Sequence, residues 1–181
     1  MGLFITGKSR IEQTDREGYW KLIDNELYMD NNGKILLCPR RFWSDGYTFP
    51  GFVMAILGDK NKFDVRGAHI HDIACRFHQI IQVKLSIQDL RKKGYLKYHE
   101  KNKVIYCDDI PIKYLEILSI KKSEADDMLE RMMRNSNMKD LVCKSIRFGV
   151  RFNFNWYLRC GKRSLATYNI YKEDIGLVDG V

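Results

Sequence analysis

Two short polar stretches contain the residue types that acid–base chemistry requires. The first is SDGYTFP at residues 44–50, and the second is AHIHD at residues 68–72. Asp45 is followed by Gly46, so we expect a turn whose tip could aim a carboxylate at whatever packs against it. If Asp45 and His71 meet, the carboxylate would orient the imidazole and the imidazole would move a proton. If they do not meet, Asp45 only closes a turn.

The histidine stretch also contains potential metal ligands. On a helix, His71, Cys75 and His78 lie at i, i+4 and i+7 and project from one face, so His71 and Cys75 could bind a soft divalent metal. The sequence shows no fourth ligand at a recognised zinc spacing, and partly buried, hydrogen-bonded side chains are the alternative interpretation. Asp72 points about 100° away from His71 on such a helix, so these two side chains are expected to have different partners.

The charge of the chain favours a polyanionic partner. Its formal net charge is +8, from 31 Lys and Arg against 23 Asp and Glu, and such an excess promotes binding to nucleic acid through counterion release. Basic residues alternate with aromatic ones in residues 91–106 and 147–163, which suits a phosphate backbone with bases stacked beside it. A solvated face over an ordinary aromatic core is the alternative. The candidate nucleic-acid contacts are Arg91, Lys92, Lys93, Lys97, Lys101, Arg147 and Arg151.

Length and composition predict one domain over residues 1–181. A chain of 181 residues with 45% hydrophobic content can bury a core without disulfides or a structural metal. The five cysteines are widely spaced and odd in number, which is typical of reduced thiols. Because no stretch resembles a signal peptide or a membrane span, we expect a soluble protein of the host cytoplasm with no membrane partner.

The N-terminal half is predicted to contain two hairpins and two helices. Residues 24–38 carry two apolar runs around an Asn-Gly turn and predict a β-hairpin. Residues 66–83 have apolar side chains at helical spacing and predict a buried helix. Residues 86–93 predict a short helix with Ser86 as its cap, followed by a second hairpin over residues 95–106.

The C-terminal half is predicted to be helical. The pattern becomes helical from Pro111, then SEADDMLERMMRNSN at residues 123–137 predicts a helix with a methionine-rich core stripe, and residues 138–158 predict another. Residues 164–181 predict a weakly ordered tail. The fold class is therefore α+β, with an N-terminal β-hairpin or small antiparallel sheet packed on a helical core of three to five helices.

The order of these motifs resembles an uncharacterised phage and prophage family, known only as a domain of unknown function. Its members typically read Thr-Asp-Gly-Ala-Ser-x-Pro, then Ala-x-x-x-His-Asp, then Ala-Asp at a helix start and Val-Arg-x-x-Gly in a last helix. The resemblance covers roughly residues 24–78 and 122–152. The matching positions here are Asp45, Gly46, Thr48, Pro50, His71, Asp72, Asp126 and Arg147.

Three departures from the family pattern bear on this resemblance. Thr48 stands where the family usually has Ser, and Ala68 is one position closer to His71 than in the family motif. Residues 79–121 are longer than the usual connection, so we interpret them as a lineage-specific basic insertion.

The resemblance implies a polar site but no established reaction. It leads us to expect that the catalytic candidates cluster, with His71 as general base or acid and Asp72 or Asp126 orienting it. Thr48 would line the position of the reacting group. A divalent ion such as magnesium could take part, but no cofactor is required. The candidates are Asp45, Thr48, His71, Asp72 and Asp126.

We therefore expect a phage or mobile-element counter-defence protein whose partner is nucleic acid, most simply RNA. The specific expectation is an anti-CRISPR protein that binds a Cas9 ribonucleoprotein and could cleave its guide RNA as a ribonuclease. One alternative is a phage accessory or lysis-associated hydrolase of another substrate. The other is a non-enzymatic binding protein in which the His-Asp pair is structural.

Overall fold

The computed structural model describes residues 2–8, 10–14, 19–44, 64–152 and 164–175, apart from the side chains of residues 151 and 152. Antiparallel sheets pack against three main helices, which confirms the predicted α+β class. The helices are α1 (Arg66–Phe77), α2 (Ile87–Lys92), α3 (Lys122–Asn135) and α4 (Asp140–Phe152). The strands are β1 (Leu3–Phe4), β2 (Ile11–Gln13), β3 (Trp20–Leu22), β4 (Glu26–Met29), β5 (Ile35–Cys38), β6 (Trp43–Ser44), β7 (Gln79–Val83), β8 (Leu96–His99), β9 (Val104–Cys107) and β10 (Leu115–Ser119).

The main sheet has five antiparallel strands in the order β1-β4-β5-β7-β10. In the central strand β5, Leu37 pairs with Leu27 of β4 on one side and with Ile81 of β7 on the other. All four residues of β5 are buried, as expected of a continuous apolar run in the middle of a sheet. Helix α1 packs on β5 and β7 and carries its polar side chains into the core.

The predicted hairpin at residues 24–38 is confirmed as the pair β4–β5. Its turn is held by the Asp30 carboxylate, which accepts hydrogen bonds from the backbone N–H groups of Asn32 and Lys34. Gly33 has φ +80°, a conformation that glycine adopts without strain. Local turn chemistry therefore sets the register of these two strands.

The prediction of one helix over residues 66–83 is wrong after Phe77. His78 has φ 52° and ends α1 in the left-handed conformation, and β7 follows at once as an inner strand of the sheet. In β7, Ile81 and Val83 are buried while Gln82 is only partly buried, so the pattern alternates with a period of two. A short apolar run fits helical and strand spacing alike, and the place beside β5 decides between them.

The helix predicted from Pro111 is also replaced by a strand. A short 3-10 turn at Ile112–Tyr114 leads into β10, which pairs with β7 over its full length. The segment 79–121, interpreted as a basic insertion, therefore contributes two strands to the main sheet at its ends. Its origin as an insertion stays a prediction, and α2, the hairpin β8–β9 and the 3-10 turn lie outside the main sheet.

Helix α2 and the second hairpin are confirmed. Ser86 accepts a hydrogen bond from the Asp89 N–H through its hydroxyl, and the Asp89 carboxylate accepts from Ser86 in return. Gly94 has φ +75° just after the helix. Leu90 is fully buried and fixes α2 to the core, so the basic residues that follow it are displayed from an anchored element.

Helix α3 packs on α1, and α4 packs on α3. The predicted methionine stripe is confirmed as core, because Met128, Met132 and Met133 are buried. In α4, Ile146 is buried, whereas Leu141 is 71% exposed. Residues 153–158 of the predicted helix lie outside the described residues. No helix in the described part of the chain is long and apolar enough to cross a membrane.

Residues 164–175 are the described part of the segment for which we predicted a weakly ordered tail. Leu165, Ile170 and Ile175 are buried in the main core. Ile175 also forms a parallel bridge with Phe42, immediately before β6. This end of the described chain therefore packs beside the strand that leads to residues 45–50.

We predict that Ser86→Ala lowers the free energy of unfolding by about 1 kcal/mol, because the first turn of α2 loses its side-chain cap. Urea unfolding followed by circular dichroism measures the change. Ser123→Ala is the matched control, because Ser123 is exposed and lies inside α3, which begins at Lys122. A loss in the control as large as that in the Ser86 variant would contradict the assignment of the cap.

Candidate functional site

One buried polar cluster joins α1 to α3, and we call it the His71 cluster: His71, Cys75, Lys122 and Asp126. The Nε2 atom of His71 lies 2.9 Å from Oδ1 of Asp126. Nζ of Lys122 donates to Oδ2 of the same carboxylate over 2.6 Å and to the carbonyl oxygen of Val150 in α4 over 2.9 Å. The Asp126 carboxylate thus joins α1 to α3, and the Lys122 ammonium joins α3 to α4.

Helical spacing places each member of the cluster. His71 and Cys75 are four residues apart on α1, and Lys122 and Asp126 are four residues apart on α3, so each pair lies on one face of its helix. The two faces meet where α1 packs on α3. The Cys75 Sγ atom is 3.4 Å from Nε2 of His71 and 3.9 Å from its Nδ1.

Burial and hydrogen bonding act in opposite directions on the Asp126 carboxyl. Asp126 is 4% exposed and His71 is 7% exposed. Burial alone would raise the pKa of Asp126, but the hydrogen bonds from His71 and Lys122 outweigh it and hold the pKa below its usual value. An ionised carboxylate only accepts hydrogen bonds, so His71 donates to it through Nε2.

This arrangement differs from that of a nucleophilic Cys-His-Asp site. In such a site the nucleophile and the carboxylate contact different nitrogens of the imidazole, so that the proton can be taken from one side. Here the thiol of Cys75 and the carboxylate of Asp126 both lie nearest to Nε2 of His71. The geometry is suited to joining helices or to holding a cation. Ligand-type atoms of His71, Cys75 and Asp126, one from each residue, lie within 4.8 Å of one another.

The other predicted catalytic residues divide into two groups. Asp72 turns away from His71, as adjacent helical positions predict, and its Oδ2 atom lies 2.5 Å from the hydroxyl of Ser44 at the end of β6. The structure therefore brings His71 and Asp126 together and gives Asp72 a different neighbour. Asp45 and Thr48 lie outside the described residues, so their predicted convergence on His71 stays a prediction.

Two features of the buried polar network were not predicted from the sequence: the pair His69–Glu26 and the contact of Lys122 with Asp126. His69 is buried, and its Nδ1 atom lies 3.0 Å from Oε2 of the buried Glu26 in β4. Residues two apart on a helix point about 200° apart, so His69 and His71 had to face different layers. Lys122 could have been found as the basic residue one helical turn before Asp126. Glu26 gave no such signal, because its contact with His69 depends on how β4 packs under α1.

A basic surface lies on α2 and the hairpin β8–β9, away from the His71 cluster in the fold. All six of its basic side chains are exposed, and Tyr98 beside them is 60% exposed. Among the described residues, only Lys97 of the six forms a salt bridge, with Asp108. The basic surface consists of Arg91, Lys92, Lys93, Lys97, Lys101 and Lys103.

A cleft of about 610 Å³ borders this surface. Its lining includes Lys93 and Arg40 but also three carboxylates, from Asp24, Asp108 and Asp109. Arg40 is paired with Asp109 over 2.8 Å. The mixed charge makes the cleft a poor phosphate site, so an anion is expected to follow the exposed lysines rather than enter it.

The two C-terminal arginines that we predicted as nucleic-acid contacts are not part of the basic surface. Arg147 is paired with two carboxylates of α3, Asp127 and Glu130, the latter at 2.6 Å. A guanidinium already paired in this way is less available to a phosphate. Arg151 belongs to α4, but its side chain lies outside the described residues.

Comparison of the chain with family models, with curated proteins and with solved structures gives no match. Both sites are therefore interpreted from their geometry and from the resemblance of this chain's motifs to those of the phage family.

We predict that His71→Ala lowers the free energy of unfolding by about 2 kcal/mol or more, because the buried Asp126 carboxylate loses a hydrogen-bond partner. Denaturant unfolding of the purified variant tests this. His99→Ala is the control, since His99 is exposed on β8, and its change should stay within about 0.5 kcal/mol. Equal effects of the two substitutions would show that the His71 contact does not hold α1 to α3.

Proposed function

We propose that this chain is a counter-defence protein of a phage or other mobile element that acts by binding RNA, with the guide RNA of a Cas9-type ribonucleoprotein as its partner. The observation that carries the proposal is the basic surface on α2 and β8–β9. Its six cations are exposed, and most of them have no acidic partner among the described residues.

The location of these cations supports a binding role. Residues 91–103 hold all six of them against one acidic residue, Glu100. The cations stand on two short elements that are anchored by the buried side chains of Leu90, Leu96 and Cys107. A rigid base costs less conformational entropy when a ligand is bound, so the charges are arranged in advance for a polyanion.

Aromatic side chains beside the cations favour a single strand over a duplex. Tyr98 is 60% exposed on β8, and its ring can stack on an unpaired base. On the same hairpin, the ring of His99 packs edge-on against Tyr106 at a centroid distance of 6.0 Å. Stacking on aromatic rings together with phosphate contacts is the usual way in which proteins bind single-stranded RNA.

The choice of guide RNA as the partner follows from the resemblance to phage proteins. A Cas9-type nuclease presents its guide for base pairing with the target strand. A small basic protein that holds this RNA would prevent the heteroduplex from forming. The same surface would also bind other single-stranded RNA. The surface therefore indicates the class of ligand, single-stranded RNA, and the resemblance to phage proteins indicates guide RNA within that class.

Hydrolysis at His71 is the second candidate function, because the contact between His71 and Asp126 supplies an imidazole and a carboxylate in hydrogen-bond distance. Two features favour a positioning role instead. His71 is only 7% exposed, and Lys122 already neutralises the carboxylate. We therefore propose RNA binding without cleavage as the main activity, with the His71 cluster holding the helices together.

We predict that the triple variant Arg91→Gln, Lys92→Gln, Lys93→Gln binds single-stranded RNA about tenfold or more weakly at low salt. Because each lost phosphate contact removes about 0.7 from the slope of log affinity against log salt, the slope should fall by about 2. Fluorescence anisotropy with labelled RNA at several salt concentrations measures both quantities.

The matched control removes the same charge elsewhere, with Lys34→Gln, Lys139→Gln and Lys172→Gln. These lysines are exposed on other parts of the chain. If the two triple variants bind RNA equally well, the effect comes from net charge alone and the basic surface is not the binding site.

We further predict that labelled guide RNA, free or bound to Cas9, forms a salt-sensitive complex with the protein and stays intact, because His71 is buried and its Nε2 atom is engaged. Gel electrophoresis under native and denaturing conditions, with and without EDTA, measures binding and cleavage separately. The His71→Ala variant is run beside the wild type.

Three results would overturn this proposal in different ways. Discrete cleavage that is lost in His71→Ala would make the protein a ribonuclease with its site at the His71 cluster. Cleavage that persists in the variant would place a nuclease site elsewhere. Absence of both binding and cleavage would remove RNA as the partner and favour a hydrolase of another phage substrate.

A further inference from the structure

We infer that the His71 cluster is a transition-metal site that binds one Zn²⁺ ion through Sγ of Cys75, Nε2 of His71 and Oδ1 of Asp126. This site is separate from the basic surface, and it does not depend on RNA binding. The ligand-type atoms come from two helices and lie within 4.8 Å of one another in a buried position.

Two of the three distances between the ligand atoms are close to those of a tetrahedral zinc site. With Zn–S near 2.3 Å and Zn–N or Zn–O near 2.0 Å, neighbouring ligand atoms of such a site are about 3.3 to 3.6 Å apart. The distance from Sγ of Cys75 to Nε2 of His71 is 3.4 Å, and that from Nε2 to Oδ1 of Asp126 is 2.9 Å. The third distance, from Sγ of Cys75 to Oδ1 of Asp126, is within 4.8 Å, so side-chain shifts of up to about 1 Å would complete the geometry.

In this site Lys122 would hold the Asp126 carboxylate without binding the metal itself. Its ammonium contacts Oδ2 of Asp126, whereas Oδ1 is the atom turned toward His71. Ligating carboxylates in metal sites are commonly held by such a second hydrogen bond, which fixes their orientation. The bond from Lys122 to the carbonyl oxygen of Val150 keeps the ammonium in place.

The chemistry of the donors selects the kind of metal. A thiolate and an imidazole are ligands for zinc and similar transition metals, whereas magnesium and calcium prefer oxygen. The magnesium ion considered from the carboxylates alone is thus a poor match to these atoms. Three protein ligands leave a fourth coordination position, as in zinc sites that hold a water molecule.

Metal binding at this site requires neither an oxidant nor a reductant. A Zn–S bond forms as the Cys75 thiol loses its proton to solvent. The neutral imidazole of His71 moves its remaining proton to Nδ1, so that Nε2 can bind the metal. Asp126 exchanges its hydrogen bond from His71 for a bond to the ion. One proton is released for each ion bound, and affinity therefore rises with pH.

The experiment is a titration of the metal-free, full-length protein with Co²⁺ under reducing, oxygen-free conditions. We expect saturation at one ion per chain, with a near-ultraviolet band from charge transfer between sulfur and cobalt that Zn²⁺ abolishes by displacement. The Cys75→Ser variant should lose this band and bind Co²⁺ about tenfold or more weakly. Cys107→Ser is the matched control, because Cys107 is equally a buried thiol, and it should keep both the band and the affinity.

A wild-type protein without the sulfur band would overturn the proposal, as would a band that survives in Cys75→Ser or disappears in Cys107→Ser. Circular dichroism establishes that each variant is folded. If Cys75→Ser does not fold, Asp126→Asn replaces it, and unchanged Co²⁺ affinity in that variant would likewise overturn the assignment. None of these readouts involves RNA, so a failure here leaves the proposed binding function intact, and the converse also holds.

Discussion

The fold depends on the burial of polar side chains along α1. Every residue from Gly67 to Phe77 is buried, and this stretch includes two histidines, an aspartate and an arginine. Ionisable groups are taken out of water at a large cost in free energy unless each finds a charged or hydrogen-bonding partner. The positions of the surrounding elements are therefore constrained by the need to supply those partners.

The buried polar side chains of α1 reach three surrounding elements, β4, α3 and β6. His69 reaches Glu26 in the main sheet, His71 reaches Asp126 in α3, and Asp72 reaches Ser44 at the end of β6. Arg76 donates to the carbonyl oxygen of Trp43, also in β6, over 2.7 Å. A helix that is tied in several directions in this way can hold its side chains in fixed positions, which both a metal site and a structural role require.

The basic surface differs from α1, because its charged side chains are solvated. Interactions between residues close in sequence shape its backbone. The cap of α2, the positive φ of Gly94 and the register of β8–β9 all involve residues close in sequence. Ionic contacts in water contribute little to stability, so a contribution to folding does not explain this arginine and these five lysines. The structure thus separates a buried polar cluster that contacts three helices from an exposed basic surface.

Several elements could be predicted because their signals are local. The Asn-Gly hairpin, the capped helix at 87–92 and the core stripe of α3 were all predicted correctly, because turn residues, caps and long periodic patterns act over a few positions. The divergence of His71 and Asp72 also followed from helical spacing alone.

Contacts between distant parts of the chain determined two strands and the buried side-chain pairs that local signals did not predict. Residues 79–83 and 115–119 carry apolar runs that suit a helix or a strand, and their pairing in the main sheet makes them strands: β7 pairs with β5, and β10 pairs with β7. The meeting of His71 with Asp126 joins positions 55 residues apart, and His69 with Glu26 joins positions 43 apart. Such contacts depend on how helices and sheet pack, and no spacing within the sequence encodes that packing.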